Sequence, residues 1–332
     1  MSHICQLPGS KTILLNDESN QFSFPGYNCT LPVDDVVLLH LCSGHGIARK
    51  IGRRQYIRTL NSQGFYIGKH LAKIEEIFPR FVEVFTVMNV WNEHRVPFAQ
   101  SQGRMSCCEY EDPSRLKDRT EQFLVLEFHY AQNVRYFEYM LPELRQLLEF
   151  SMNIQHQGDK VLRRWKLNNA TAMCAHIRRS DFVELEVATD LHKSIRDMES
   201  IALQQGLSDY LIFGDDVDFM RRMVEALRIK MREGSRAFFS TNTEGIDFYV
   251  ASRACGAMLI TAPTSTFGWW LAFFTPNQNA VFYSNDRRRM ADKVPQKDLF
   301  LMYPRKKNIR KDLGVSRYAS ESSVDSMANS CS

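Results

Sequence analysis

TAMCAHIRRSD, residues 171–181, is an apolar run that ends abruptly in a histidine, two arginines and an aspartate. From this run onward, strand-like and helix-like segments alternate regularly as far as residue 283. Single helices between successive strands predict a parallel, doubly wound sheet with right-handed crossovers. The predicted strands are 171–177, 210–213, 237–240, 257–261 and 280–283, and the predicted helices are 191–205, 217–231, 245–253 and 266–274.

The ends of four of these strands carry charged and hydroxyl side chains. The carboxyl ends of parallel strands meet at one edge of a sheet, where α/β proteins bind their ligands. A guanidinium binds two phosphate oxygens at once and never loses its proton, so Arg178 and Arg179 suit a departing diphosphate. Ser265 and Thr266 precede an apolar helix whose first N–H groups also favour phosphate. Taken singly, these residues fit a surface ion pair and a plain helix cap, but together they predict an anion site.

Acidic residues at the same edge permit a second interpretation. The sequence DVD at 216–218 resembles the acidic pair with which some sugar-transferring enzymes hold Mn²⁺ beneath a diphosphate. Alternatively, Asp215 and Asp216 cap the helix that begins at residue 217 and favour its positive end. We favour the cap and predict no metal. Glu244 and Asp247 open the next helix, where they either serve the helix dipole or grip a nucleoside.

Composition and length predict a soluble globular chain of two domains. The 332 residues are 44% hydrophobic and 24% charged, and the net charge of +4 comes without a basic stripe that would favour nucleic acid. The sequence contains neither a run of ~18 apolar residues nor a signal peptide. We expect a loosely attached lead-in (1–34), an N-terminal α/β domain (35–165), a C-terminal Rossmann-like domain (166–303) and a disordered tail (304–332).

The N-terminal half shows a weaker alternation. Apolar spacing predicts helices from residue 36 to 51 and over 71–78, and strands at 56–57 and 123–128. A further helix is predicted over 134–150, with Pro142 beginning a new segment. The polar, amide-rich stretch GDKVLRRWKLNNA, residues 158–170, is interpreted as the crossing into the second domain.

The eight cysteines show no CxxC spacing, which argues against zinc. Cys174 and Cys255 lie in apolar segments and are interpreted as buried free thiols. Two N-x-T tripeptides, at Asn28 and Asn169, permit a secretory location without establishing one.

Several motifs of the C-terminal half, in order, resemble those of the α-1,2-fucosyltransferases, glycosyltransferase family 11. They are HIRRSD at 176–181, FGDD at 213–216, TNTE at 241–244 with Asp247 and Cys255, and STFGWW at 265–270. Upstream, the family's first helix and its QS-x-x-YF region are similar to SGHGIARKIGRRQYI at 43–57 and AQNVRYFEYM at 131–140. The resemblance covers about residues 36–285, and its N-terminal part is similar to the nematode branch.

The resemblance implies a GT-B fold, with two Rossmann-like domains facing a cleft, and inverting transfer of L-fucose from GDP-β-L-fucose to a galactoside 2-hydroxyl. It further implies no obligatory metal, and a Golgi location through a membrane anchor that this sequence lacks. Arg178 matches the arginine against the departing diphosphate, and His176 and Asp181 match the positions that frame it. The implied donor-binding residues are Arg179, Asp216, Glu244, Asp247, Ser265 and Thr266. Asp181, Glu184 and Glu186 remain alternatives for the base that deprotonates the acceptor.

The sequence departs from the family pattern in two further places. PVDDVV at 32–37 stands where the family has a glycine-rich turn, and Ser180 replaces a glycine. A truncated gene model would explain the missing turn and anchor, and so would a non-catalytic paralogue that binds a nucleotide sugar or a glycan. An NAD-dependent dehydrogenase is disfavoured because no G-x-G-x-x-G opens the sheet.

Overall fold

The computed structural model describes residues 12–16, 34–58, 68–101, 104–105, 109–127, 131–167, 169–231, 233–284, 288 and 315–316. The N-terminal half is built on a parallel sheet of five strands in the order β3-β2-β1-β7-β4. Its elements are β1 (Thr12–Asn16), α1 (Asp34–Lys50), β2 (Arg54–Ile57), α2 (Gly68–Ile77), α3 (Pro79–Val82), β3 (Thr86–Val87), β4 (Glu93–Pro97), β5 (Gln100–Ser101), β6 (Arg104–Met105), β7 (Phe123–Glu127), α4 (Leu141–Leu147) and α5 (Met152–Trp165).

Two predictions for this half were wrong. Strand β1 lies within the segment interpreted as a lead-in, yet it is the middle strand of the sheet. The local sequence does not reveal it because its partners β2 and β7 lie far along the chain. The segment predicted as a helix over 134–150 contains two 3₁₀ turns before α4, whereas Pro142 lies in the first turn of a new helical segment, as predicted. The predicted crossing at 158–170 includes the end of α5, which is helical as far as Trp165 and packs on a helix of the C-terminal half, described next.

The C-terminal half follows the predicted alternation closely. Its sheet has the order β10-β9-β8-β11-β12-β13, with the first five strands parallel. Val315–Ser316 pairs antiparallel with the preceding strand, so these two residues are not part of a disordered tail as predicted. Its elements are β8 (Ala172–Ile177), α6 (Ser180–Glu184), α7 (Leu191–Gln205), β9 (Asp209–Gly214), α8 (Val217–Lys230), β10 (Ala237–Phe239), α9 (Glu244–Ala254), β11 (Cys255–Ile260), α10 (Thr266–Phe274), β12 (Val281–Ser284) and β13 (Val315–Ser316).

The C-terminal sheet is covered by helices on both faces, as a doubly wound sheet requires. Alternate residues of β8 point to opposite faces, so Met173 and Ala175 pack with α7 and α8, whereas Ala172 and Cys174 pack with α9 and α10. By the same alternation, His176 lies on the same face as Ala172 and Cys174. The alternation therefore places His176 against the beginning of α10.

Cys174 and Cys255 form a disulfide between the adjacent strands β8 and β11, with 5.5 Å between their Cα atoms. The prediction of two free thiols was wrong. Register brings them together, since Cys255 pairs with Ala172, two residues before Cys174. Both cysteines are fully buried, so the bridge lies within the core and not on the surface.

The two halves face each other in a GT-B-like arrangement and share one core. A single cluster of buried apolar residues runs from α1 and α2 of the N-terminal half to α9 and α10 of the C-terminal half. Phe78 stacks on Phe274 with ring centroids 5.6 Å apart, and Phe137 meets Trp269 edge to face at 5.9 Å. Among the described residues, no helix is both long enough and apolar enough to span a membrane.

Candidate active site

A pocket opens at the carboxyl ends of β8, β9 and β10, the edge at which the sequence predicts ligand binding. It encloses about 110 Å³, which is less than the ~300–1,000 Å³ of a complete small-molecule site. The pocket therefore accommodates one part of a ligand, not the whole of a nucleotide sugar. It is lined by His176, Ile177, Arg178, Gly214, Asp215, Asn242, Glu244, Asp247 and Phe267.

Arg178 is held rigidly at the wall of this pocket. Its side chain is 10% exposed, and Nε lies 3.3 Å from Asp215 Oδ2. Its backbone N–H donates to Thr189 Oγ1 at 3.2 Å, and its carbonyl accepts from the Thr189 N–H at 3.3 Å. The Thr189 hydroxyl lies 2.6 Å from that of Thr261, which donates to the carbonyl of His176. This hydroxyl chain fixes the backbone on which the guanidinium is mounted.

Asp215 organises the loop that follows β8, although the sequence indicated only a cap for it. One carboxylate oxygen accepts from the Arg179 N–H at 2.9 Å, and the other accepts from the N–H and the hydroxyl of Ser180. The same carboxylate pairs with Arg178. Asp215 therefore fixes the beginning of α6 and also orients the side chain of Arg178. Ser180, which stands where the family has a glycine, donates one of the hydrogen bonds to Asp215 through its hydroxyl.

Arg179 and Asp216 are bound to each other beside the pocket and do not line it. Arg179 Nε lies 3.3 Å from Asp216 Oδ2, Nη1 donates to the Thr189 carbonyl at 2.8 Å, and the guanidinium lies 4.2 Å from the centre of the Phe219 ring. Asp216 also caps α8 by accepting from the Phe219 N–H at 2.9 Å. These contacts give both residues a structural role, and their predicted donor contacts stay a prediction.

His176 and Ser265 meet beneath the beginning of α10. The Ser265 hydroxyl accepts from the Gly268 N–H at 3.4 Å and lies 3.5 Å from His176 Nε2. Burial lowers the pKa of His176 from 6.5 to about 3, with the Arg178 charge acting in the same direction and Asp215 opposing it. The imidazole is therefore neutral at physiological pH. A Cβ at Gly268 would lie 2.5 Å from His176 Nδ1, so this close approach requires glycine.

Asp247 lies on the pocket wall within a cluster of polar side chains. It accepts a hydrogen bond from the Ser240 hydroxyl, which in turn accepts from the Asn242 N–H at 3.1 Å and from its side-chain amide at 2.8 Å. Burial raises the pKa of Asp247 from 3.8 to about 8, against the lowering effect of these hydrogen bonds. Asp247 is therefore largely protonated at neutral pH and offers both a donor and an acceptor.

Glu244 connects the pocket to the N-terminal half. Its Oε2 lies 3.1 Å from Nζ of Lys73, which belongs to α2. Neither Lys73 nor this contact could be predicted from the sequence, because 171 residues separate the partners.

The remaining predicted site residues lie elsewhere. Thr266 lies at a small second cavity between the halves, together with Leu39, Gln132, Val134, Pro263, Thr264, Ser265 and Trp269. Asp181 belongs to α6, but its side chain lies outside the described part of the structure. Glu184 and Glu186 are exposed on and after α6. The altered turn at 32–37 is described only from residue 34, where α1 begins.

The DVD stretch at 216–218 does not form an open acidic pair. Asp216 caps α8, and Asp218 pairs with Arg221 on the same helix. Over the described ranges, no group of three or more His, Cys, Asp or Glu side chains is arranged to hold a metal ion.

Comparisons with known proteins identify the family. The sequence model of glycosyl transferase family 11 matches residues 106–298. A galactoside 2-alpha-L-fucosyltransferase of Caenorhabditis elegans is 28% identical over 81% of this chain and 74% of its own length. The putative galactoside 2-alpha-L-fucosyltransferase svh-11 of the same organism is 28% identical over 74% of this chain and 67% of its own.

Among solved structures, POFUT1 in complex with GDP-fucose aligns with a TM-score of 0.49 and 12% identity, over 81% of this chain and 94% of POFUT1. The family match begins after β6 of the N-terminal half and covers all residues that line the pocket described above. Since this match spans more than half of the sequence, the chain belongs to glycosyltransferase family 11.

Proposed function

We propose that the chain transfers L-fucose from GDP-β-L-fucose to the 2-hydroxyl of a galactoside, with inversion and without a metal. One observation carries the proposal: Arg178 lines a pocket at the carboxyl edge of the C-terminal sheet and is held there by Asp215. The names of the two nematode relatives support fucose as the sugar and a galactoside as the acceptor.

In the proposed reaction, the acceptor oxygen attacks the anomeric carbon of fucose from the face opposite GDP. The bond between that carbon and the β-phosphate oxygen breaks, its electron pair leaves with GDP, and the acceptor proton passes to a carboxylate base. Negative charge grows on the β-phosphate oxygen, where Arg178 stabilises it. Ser265, Thr266 and the first N–H groups of α10 remain predicted contacts of the phosphates, with Ser265 and Thr266 lining the second cavity. Asp181, Glu184 and Glu186 remain the candidates for the base.

We also propose that the protein works in the Golgi lumen. The buried disulfide between β8 and β11 supports an oxidising compartment, because cytosolic proteins rarely keep such bonds.

The test is a donor screen with the purified chain. GDP-fucose, GDP-mannose and UDP-galactose are offered with lactose as the acceptor, and nucleotide release and thermal stabilisation are measured together. We expect GDP release and stabilisation with GDP-fucose alone, and a fucosyl-α-1,2-galactose linkage in the product. Stabilisation without release would support a binding paralogue. The absence of both stabilisation and release would refute the proposal.

A further inference from the structure

The donor pocket carries an unfavourable balance of charge when only its lining residues are considered. Arg178 contributes one positive charge, and Asp215 and Glu244 contribute one negative charge each. Asp247 is largely protonated at neutral pH and His176 is neutral, so neither changes this balance. The lining therefore sums to one negative charge, which would repel the dianionic diphosphate of a nucleotide sugar.

Lys73 brings a positive charge to the pocket wall from the other half of the molecule. Its ammonium lies 3.1 Å from Glu244; the Lys73 side chain is 42% exposed and that of Glu244 is 13% exposed. A close helix contact sets this distance, because Gly245 of α9 faces Ile77 of α2 and a Cβ at that glycine would lie 2.8 Å from Ile77 Cγ1. The ion pair therefore lies beside a close contact between helices of the two halves.

We propose that Lys73 is a positioning residue for the donor: it neutralises Glu244 and fixes that carboxylate at the pocket wall, so that the N-terminal half sets the affinity for the nucleotide. This inference rests on the proposed function, since it takes the ligand to be a nucleoside diphosphate sugar. It gives α2 a part in donor binding, although α2 contributes no residue to the pocket lining.

The test compares Lys73→Met with Lys73→Arg, which keeps a positive charge beside Glu244. GDP binding is measured by calorimetry, and KM for GDP-fucose and kcat are measured by GDP release. Removal of one positive charge near the diphosphate weakens binding by about tenfold, which corresponds to about 1.4 kcal/mol. We expect Lys73→Met to raise both the Kd for GDP and the KM for GDP-fucose by about this factor and to leave kcat near the wild-type value. Lys73→Arg, which keeps the positive charge, should bind GDP with near the wild-type Kd.

Lys230→Met is the matched control. Lys230 forms a similar pair with Glu199, at 3.3 Å, between α8 and α7. Its removal changes the net charge equally but touches no pocket residue, so its Kd for GDP should equal that of the wild type. A wild-type Kd in Lys73→Met would overturn this inference without touching the proposed function, and so would a Lys73→Arg variant that binds GDP as weakly as Lys73→Met. Failure of the wild-type chain to bind GDP would overturn the proposed function itself.

Discussion

At the scale of single residues, two neighbouring arginines have different surroundings and therefore different roles. Arg178 lines the pocket, whereas Arg179 is turned against Phe219 and the carbonyl of Thr189. The sequence predicted an arginine pair at a strand end, and the resemblance to the family singled out Arg178 for the diphosphate. Asp215 pairs with the guanidinium of Arg178, and the carbonyl of Thr189 accepts a hydrogen bond from that of Arg179. No local sequence pattern shows these contacts.

Replacement of Arg178 tests the chemistry directly. Loss of one preorganised donor to the transition state typically lowers the rate by ~10²–10³, and we expect Arg178→Ala to lower kcat by at least this factor. Arg178→Lys should remain strongly impaired, because an ammonium cannot reproduce the forked geometry. The measurement is steady-state GDP release with the lactose acceptor.

Because Arg178→Ala removes the ion-pair partner of Asp215, the melting temperature of each variant is measured beside its activity. Arg178→Lys, which keeps a positive charge beside Asp215, should melt near the wild type and stay strongly impaired. Arg221→Ala, which removes an exposed arginine of α8, should behave as the wild type. Substantial turnover in either Arg178 variant with a folded chain would refute the assigned role.

Asp247 should make the stability of the protein depend on pH. The folded chain keeps this proton up to about pH 8, whereas the unfolded chain loses it near the ordinary pKa of 3.8. Between these values the folded chain binds more protons, so the free energy of unfolding falls as pH rises. Asp247→Asn removes the titration and retains an oxygen that accepts from Ser240. Urea unfolding should show the variant gaining on the wild type from about pH 5 to pH 8, by on the order of a few kcal/mol.

Asp218→Asn, at an exposed carboxylate, provides the comparison for that series. Its stability should follow the wild type across the same pH range. Parallel curves for Asp247→Asn and the wild type would show that Asp247 is ionised in the folded chain.

At the scale of elements, the C-terminal half was predicted more completely than the N-terminal half, where α1, α2, β2 and β7 were predicted and β1 was missed. Helices α7 and α10 have the bounds that apolar spacing predicts, since each is defined by local periodicity and by its caps at Asp190 and Ser265. Strand β1, in contrast, forms only through pairing with β2 and β7, and a five-residue apolar run carries no sign of such distant partners. The disulfide was missed for the same reason, because it depends on the register between β8 and β11.

The bridge between β8 and β11 should contribute strongly to stability. It closes a sequence separation of 81 residues, for which the loss of chain entropy and measured disulfides both suggest about 2–5 kcal/mol. Cys174→Ala/Cys255→Ala should lower the free energy of urea unfolding by this amount. Cys42→Ala, which removes one buried free thiol, should cost less. Intact mass after alkylation checks the bond itself: labelling of both cysteines in the unfolded, unreduced protein would contradict it.

The beginning of α8 argues against a manganese site. Asp216 is engaged as a cap and in the pair with Arg179, and Asp218 is paired with Arg221. We expect EDTA to leave GDP release unchanged within twofold, and Asp218→Ala to retain activity. Activity that EDTA abolishes and Mn²⁺ restores would favour the acidic pair as a metal site.

At the scale of the whole molecule, the shared core predicts that both halves unfold together. Phe78 of the N-terminal half is fully buried and stacks on Phe274 of α10, within the cluster that includes Trp269 and Trp270. A domain pair held only by a polar interface would show separate transitions, whereas a continuous apolar core couples them. Far-UV circular dichroism and tryptophan fluorescence should therefore give coincident urea transitions.

Phe78→Ala tests this coupling from one side. Removing the side chain of a buried phenylalanine lowers the free energy of unfolding by about 3–5 kcal/mol. In a shared core this loss destabilises both sheets, because neither sheet can unfold without exposing the common core. Hydrogen exchange should then show amides of β7 and of β8 losing protection by similar factors, although the substituted residue belongs to the N-terminal half. Met152→Ala, at an exposed side chain of α5, supplies the unperturbed reference. Loss of protection confined to β7 would mean that the halves fold independently and that the contact between α1 and α10 is an interface between separate domains.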